Sequence, residues 1–115
     1  MIILRELSLD NVAKLIIANK DDVALNEVKQ LPFSDNLLYL IVSTLDQLLK
    51  EEYSKIIEDK ELLEFEHKLD DDERHMLNTR SNLIKKKYES RLNNFVSYFL
   101  DQGFSIPNKE EIRLS

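Results

Sequence analysis

Few residues in this chain could do chemistry. There are two histidines, His67 and His75, no cysteine, and a single glycine among 115 positions. His67 closes the run Glu64-Phe65-Glu66-His67, whose E-x-x-H spacing places Glu64 and His67 on one side of a helix. A metal centre in a helical bundle needs that motif on a second helix as well. Asp72 and His75 are only a near-copy across an expected turn, so the segment reads as solvated acid. His75, between Arg74 and Met76, reads as an exposed residue near a helix start. No metal and no cofactor is expected.

Nucleophilic chemistry has no better footing. None of the nine serines stands in a G-x-S-x-G turn, the strained setting that exposes a serine nucleophile. The 22 acids include no pair in an apolar setting that would lift a pKa into the acid–base range. One glycine cannot build a phosphate loop or a dinucleotide fingerprint. The expectation is a protein that is not an enzyme.

The bases form one cluster, Lys85-Lys86-Lys87, which fans over roughly 200° of a helix and so makes no patch. Lys87 is better placed, with Arg80 seven residues before it and Arg91 four after. That thin basic edge is expected to serve solubility and to pair with Glu89 or the preceding acids. No aromatic platform interleaves the bases, and a net charge of −6 opposes duplex binding. Direct nucleic-acid binding is therefore expected to be weak or absent. Arg91 stands at the edge of an aromatic seam, Tyr88, Leu92 and Phe95. Its stem can lie on apolar surface while its planar fork either reaches solvent or meets an acid of a neighbouring helix or subunit.

The elements that must position these residues read as helices. Gly is far below its usual share of about 7%, which argues against sandwiches, barrels and doubly wound sheets. The expected fold is all-α, a single bundle of about four to five helices. Ser8 is a plausible N-cap for a first helix carrying Leu9, Val12, Ala13 and Ile16 and ending near Asn19-Lys20. Asp21 and Asp22 cap or charge a short helix with Val23, Val28 and Leu31, and Pro32 breaks it. Ser34 caps the next helix, with Asp35 in its first turn and Leu38, Ile41, Val42, Leu45, Leu48 and Leu49 on its stripe. Tyr53, Ile56 and Ile57 extend it to about Asp59. From Leu37 to Leu49 this helix is apolar on several sides, so it is packed on several sides, by this chain or by another.

Lys60 to Glu73 shows no strong pattern and reads as a short helix followed by a turn. Asp71 or Asp72 caps a long last helix, about 73–101, with Leu77, Ile84, Tyr88, Leu92, Phe95 and Phe99 on its stripe. Gly103 suits the left-handed position just past its end, with Phe104 supplying the accompanying apolar contact. Residues 1–103 form the expected domain. Residues 104–115 form an extended tail or the start of a linker to an absent second domain, with Asn108 and Glu111 able to cap one more turn.

Charge is unevenly placed. Ile56 to Glu73 carries nine acids and two bases, and Arg74 to Leu100 six bases and one acid. The bland reading is a solvated loop before a helix with a basic outer face; the functional one is two complementary surfaces. The N-terminus lacks a basic leader and an apolar core of signal-peptide length, and the longest apolar run, Leu37 to Val42, is far short of a membrane span. An intracellular protein is expected, in the cytoplasm of a prokaryote or the nucleus of a eukaryote.

The order of features resembles the helical A domain of GINS subunits, in the archaeal-type branch where that domain comes first. The matching elements are Leu31-Pro32, the apolar helix from Phe33 to Leu49, the acids before Arg74, and Tyr88-Glu89-Ser90-Arg91-Leu92 followed by Phe95 and Phe99. The sharpest part is Asn78 to Phe99. Asn93-Asn94 departs from the pattern, which commonly has a base after Arg-Leu, and the usual β-rich B domain is missing. The resemblance implies a non-catalytic scaffold in an oligomer with sister GINS subunits, bridging the MCM helicase and a RecJ-like partner in DNA replication. On that reading Tyr88, Arg91, Leu92, Phe95 and Phe99, with Leu38, Ile41 and Leu45, form a partner interface. The same residues can equally pack within this chain's own bundle. The alternative function is a small acidic helical regulator or adaptor, of phage or plasmid type, that binds a host protein.

Overall fold

A computed structural model of the chain describes residues 2–104, with side chains from Leu9 onward. It contains four helices: α1 (Ile2–Ile17), α2 (Asp21–Lys29), α3 (Asp35–Glu66) and α4 (Asp71–Asp101). No strand occurs among the described residues.

The turns follow from local chemistry. α1 ends where Asn19 takes the left-handed conformation (φ 62°), which lets Asn19 N–H donate to the Ile16 carbonyl and Lys20 N–H to that of Leu15. Asn tolerates this region better than most residues, so it serves here where Gly is absent. Pro32 separates α2 from α3, and the Ser34 hydroxyl accepts a 3.1 Å hydrogen bond from Leu37 N–H as the N-cap of α3. Gly103 (φ 80°) closes α4. Its N–H donates to Leu100 and that of Phe104 to Phe99, and the Phe104 ring stacks on Phe33 at 4.7 Å.

Three boundaries differ from expectation. Ser8 is not a cap but lies inside α1, which begins at Ile2; no Gly or Pro interrupts that stretch, and a serine in a helix interior is tolerated. α3 does not stop near Asp59 but runs to Glu66, because Glu, Lys and Leu are strong helix formers and Leu63 continues the inward stripe. Asp70, rather than Asp71 or Asp72, caps α4. It forms a capping box in which its carboxylate accepts from Glu73 N–H at 2.8 Å while the Glu73 carboxylate accepts from Asp70 N–H. The expectations for residues 105–115, including the Asn108 turn, lie outside the described residues.

α3 and α4 are far longer than α1 and α2, and this sets the shape. A 32-residue helix spans about 48 Å, so α3 and α4 form an antiparallel hairpin of which only one half meets α1 and α2. The molecule measures 58 × 26 × 21 Å, with a radius of gyration of 17.4 Å against about 13 Å for a compact chain of this length. The half containing α1 and α2, here called the base, holds the main core: Val12, Ile16, Val28, Leu37, Ile41, Leu45, Leu49, Leu92, Phe95 and Phe99 with their neighbours. The other half is a two-helix arm. Its core is only Ile56, Leu69 and Leu77, with Tyr53, Leu63 and Ile84 packed alongside.

Candidate functional site

The residues expected to meet a partner belong to the base, and they face inward. Leu38, Ile41, Leu45, Tyr88, Arg91, Leu92, Phe95 and Phe99 are all buried in this chain's own core. Of the two readings the sequence leaves open for them, a partner interface or this chain's own bundle, they take the second here: the seam packs α4 against α3 and the short helices. The several-sided apolar surface of α3 has the same explanation, since α1 and α4 cover it.

Arg91 is neither snorkelling nor intersubunit. It clamps helices within the chain. Its Nε and Nη2 donate to the Asp21 carboxylate at 2.7 and 2.8 Å, and Nη2 also donates to the Ile16 carbonyl at 2.7 Å. The guanidinium thus ties the last turn of α1 and the first turn of α2 to α4. The Asp21 hydrogen bonds hold it charged, above its already high range, and its centre lies 5.2 Å from the Tyr88 ring. Burial pushes the Tyr88 phenol up to about 12, helped by the neighbouring Glu52 carboxylate. Asp21 was read from the sequence only as a helix-start charge; its partner lies 70 residues away, and nothing local marks the pair.

The thin basic edge of Arg80, Lys87 and Arg91 is a row of cross-helix ion pairs. Arg80 meets Asp59 at 3.0 Å, Lys87 meets Glu52 at 3.7 Å, and Arg91 meets Asp21. The expected partner of Lys87, Glu89 or the acidic turn, gives way to Glu52 of α3. His67 pairs with Glu73 rather than with Glu64. Its Nε2 lies 2.8 and 3.0 Å from the two Glu73 oxygens, and this hydrogen bond raises its pKa. Glu64 lies instead near Lys60 at 3.8 Å. Among the described residues no group of three or more acids and histidines is arranged to hold a metal. No described helix is long and apolar enough to cross a membrane.

Exposed large apolar side chains occur on both halves, Ile17, Val23, Tyr39, Leu100 and Phe104 on the base and five more on the arm, where little core stands behind them. Phe65 is 91% exposed, Leu62 65%, Leu83 62% and Ile57 55%, with Met76 also exposed. Ile57, expected on the inward stripe of α3, is more than half exposed, whereas Met76 and Leu83 fall off the expected stripe of α4, and Leu62 and Phe65 lie beyond the expected end of α3. At about 100° per residue, Asp59, Glu52, Arg80 and Lys87 fall on one side of the arm. The opposite side is an open groove of about 510 Å³ lined by Ile57, Lys60, Glu64, Lys68, Arg74, Asn78 and Ser81, with the three core residues as its floor. One side of the hairpin is stitched; the other is open.

Neither family models, curated proteins nor solved structures give a match to this chain.

Proposed function

We propose that this chain is a non-catalytic protein-interaction module whose contact surface is the α3–α4 arm. One observation carries the reading: a two-helix arm with three buried core residues leaves Ile57, Leu62, Phe65, Met76 and Leu83 in water. Exposed apolar residues such as Ile17 and Tyr39 also occur on the base, but there a full core stands behind them; on the arm five such residues accompany a core of three, and that ratio supports a surface that another protein covers. The polar groups of the most unusual side chain, Arg91, are meanwhile consumed in a structural clamp.

Two forms of this proposal follow from the sequence. In the first the chain is a GINS-like subunit that joins sister subunits and, with them, the MCM helicase and a RecJ-like partner. Its support is the order of sequence features from Leu31-Pro32 to Phe99 and the all-helical chain. In the second it is a small acidic helical adaptor for one partner protein. The inward turn of the Tyr88 to Phe99 seam favours the second form, because the residues expected to form the interface of a GINS-like subunit are buried within this chain.

The test is site-specific photo-crosslinking in the source cell, with the reactive group at Phe65 or Leu83 on the arm and at exposed Val23 on the base. The arm positions should capture the same protein and Val23 should not. Capture of GINS and MCM chains selects the first form, and of a single unrelated protein the second. Crosslinks only at Val23, or none on the arm, overturn the proposal.

A further inference from the structure

We infer that Leu62 and Phe65, on the outer face of α3 near the tip of the arm, seat against an apolar patch ringed by basic residues on a partner protein. The inference rests on the arm being the contact surface, and adds which residues anchor the contact and what charge the partner carries.

Phe65 and Leu62 are the two most exposed wholly apolar side chains among the described residues, at 91% and 65%. Three residues apart, they are neighbours on one face of α3. At about 100° per residue, Phe65 stands about 160° and Leu62 about 100° round the helix from Leu63, which packs inward. The hairpin therefore makes no use of either side chain. Phe is a weaker helix former than Glu, Lys or Gln, so helix formation does not account for it either. An exposed aromatic beside a leucine is the composition of a contact anchor.

What surrounds the pair selects what covers it. Within α3 the other positions three and four residues from Leu62 and Phe65 are Glu58, Asp59, Glu61 and Glu66, all acids. Asp59 is tied to Arg80, but Glu58, Glu61 and Glu66 make no ion pair among the described residues. Of the nearby bases, Lys60 and Lys68 line the groove, and Lys55 stands two turns, about 10 Å, before Leu62. Two apolar anchors ringed by free carboxylates fit a partner that is positive around an apolar patch, and repel one that is negative there.

Other occupants fit less well. Nucleic acid and anionic lipid are repelled by the same carboxylates and by the net charge of −6. A second copy of the chain offers no matching surface. Its Arg80, Lys87 and Arg91 are engaged in ion pairs, and Lys85 and Lys86 diverge by about 100° around α4.

The probe is a designed helical peptide with a Leu stripe and Lys flanks, compared with the same stripe flanked by Glu. Each is titrated into the full chain and followed by fluorescence anisotropy and by amide NMR shifts. The basic peptide should bind about tenfold more tightly or better, with the largest shifts at Glu58 to Glu66. Any acidic chain attracts a basic peptide, so the decisive variants remove the anchors and keep the charge. Phe65→Ala and Leu62→Ala should each weaken binding about fivefold, while Tyr39→Ala on the base should leave it unchanged. The charge-reversed variant E58K/E61K/E66K, shown folded by circular dichroism, should reverse the preference. Equal binding of the two peptides, shifts centred elsewhere, or full affinity in Phe65→Ala overturns the inference. If the protein crosslinked at Phe65 in the source cell is still captured by the charge-reversed chain, the charge assignment falls and the interaction function stands. No capture at any arm position removes the function too.

Discussion

The base and the arm are built from the same two helices, yet they reach stability by different routes. In the base, α3 and α4 are flanked by α1 and α2 and enclose Phe95, Leu45, Ile41 and Leu49, each wholly buried. In the arm the same helices have only each other, and Ile56, Leu69 and Leu77 retain slight exposure. An antiparallel pair buries one stripe per helix and leaves its flanks in water, so ion pairs close one flank and nothing closes the other. A helix pair is thus a finished wall where two more helices stand against it, and an unfinished one where they do not.

The comparison breaks most severely in the base. Phe95→Ala removes a ring from a filled core and should cost about 3 to 5 kcal/mol of unfolding free energy in urea titration. Leu77→Ala in the arm should cost less, about 2 kcal/mol, because its surroundings can collapse or admit water. Equal losses at the two sites would mean that the arm is as well packed as the base. Next comes the clamp. Arg91→Met leaves the Asp21 carboxylate without its two-pronged donor and takes one of two hydrogen bonds from the Ile16 carbonyl, which keeps Asn19 N–H, and should cost about 2 to 3 kcal/mol. Arg91→Lys should recover only part of that, since an ammonium cannot reproduce the two-pronged contact.

Removing the capping box is milder. Asp70→Ala should cost about 1 kcal/mol and loosen the arm tip while leaving the base amides protected, read by hydrogen exchange. The smallest effect is pH-dependent. The Glu73 hydrogen bond raises His67 above its usual 6.5, with Glu73, Glu66 and Asp70 charges acting in the same direction against a small opposing effect of burial. A raised folded pKa means that this contact stabilises fully below the unfolded value of 6.5 and is lost as pH rises through the folded value. An NMR titration should place His67 above 6.5, and Glu73→Gln should bring it down. A His67 pKa at or below 6.5 in the parent chain would remove the clip from the account.

What could be read in the sequence was what a few neighbouring residues decide. Pro32 breaks a helix wherever it falls, the Ser34 hydroxyl needs only Leu37 N–H, and Gly103 needs only its own missing Cβ. The inward stripe of α4 was equally readable, because a 3.6-residue period reports burial directly. What burial could not report was whose core the stripe enters. Tyr88, Leu92 and Phe95 look the same in a sequence whether α1 and α2 of the same chain or a second protein covers them. The Asp21–Arg91 clamp was hidden because its partners are far apart in the chain and meet only through the fold. The arm is hidden for a smaller reason: the charge-rich stretch Lys60 to Glu66 has no strong period and so reads as a short helix of its own, not as the end of α3. A helix with one side in contact and the rest in water carries that composition too.

Native-state hydrogen exchange of the free protein tests the division between a finished base and an open arm most directly. Amides of Leu37–Leu49 and Tyr88–Phe99 should exchange only through global unfolding, with a common denaturant dependence. Those of Ile56–Glu66 and Glu73–Ile84 should open at lower free energy with a smaller dependence. A single opening free energy shared by base and arm would contradict the account.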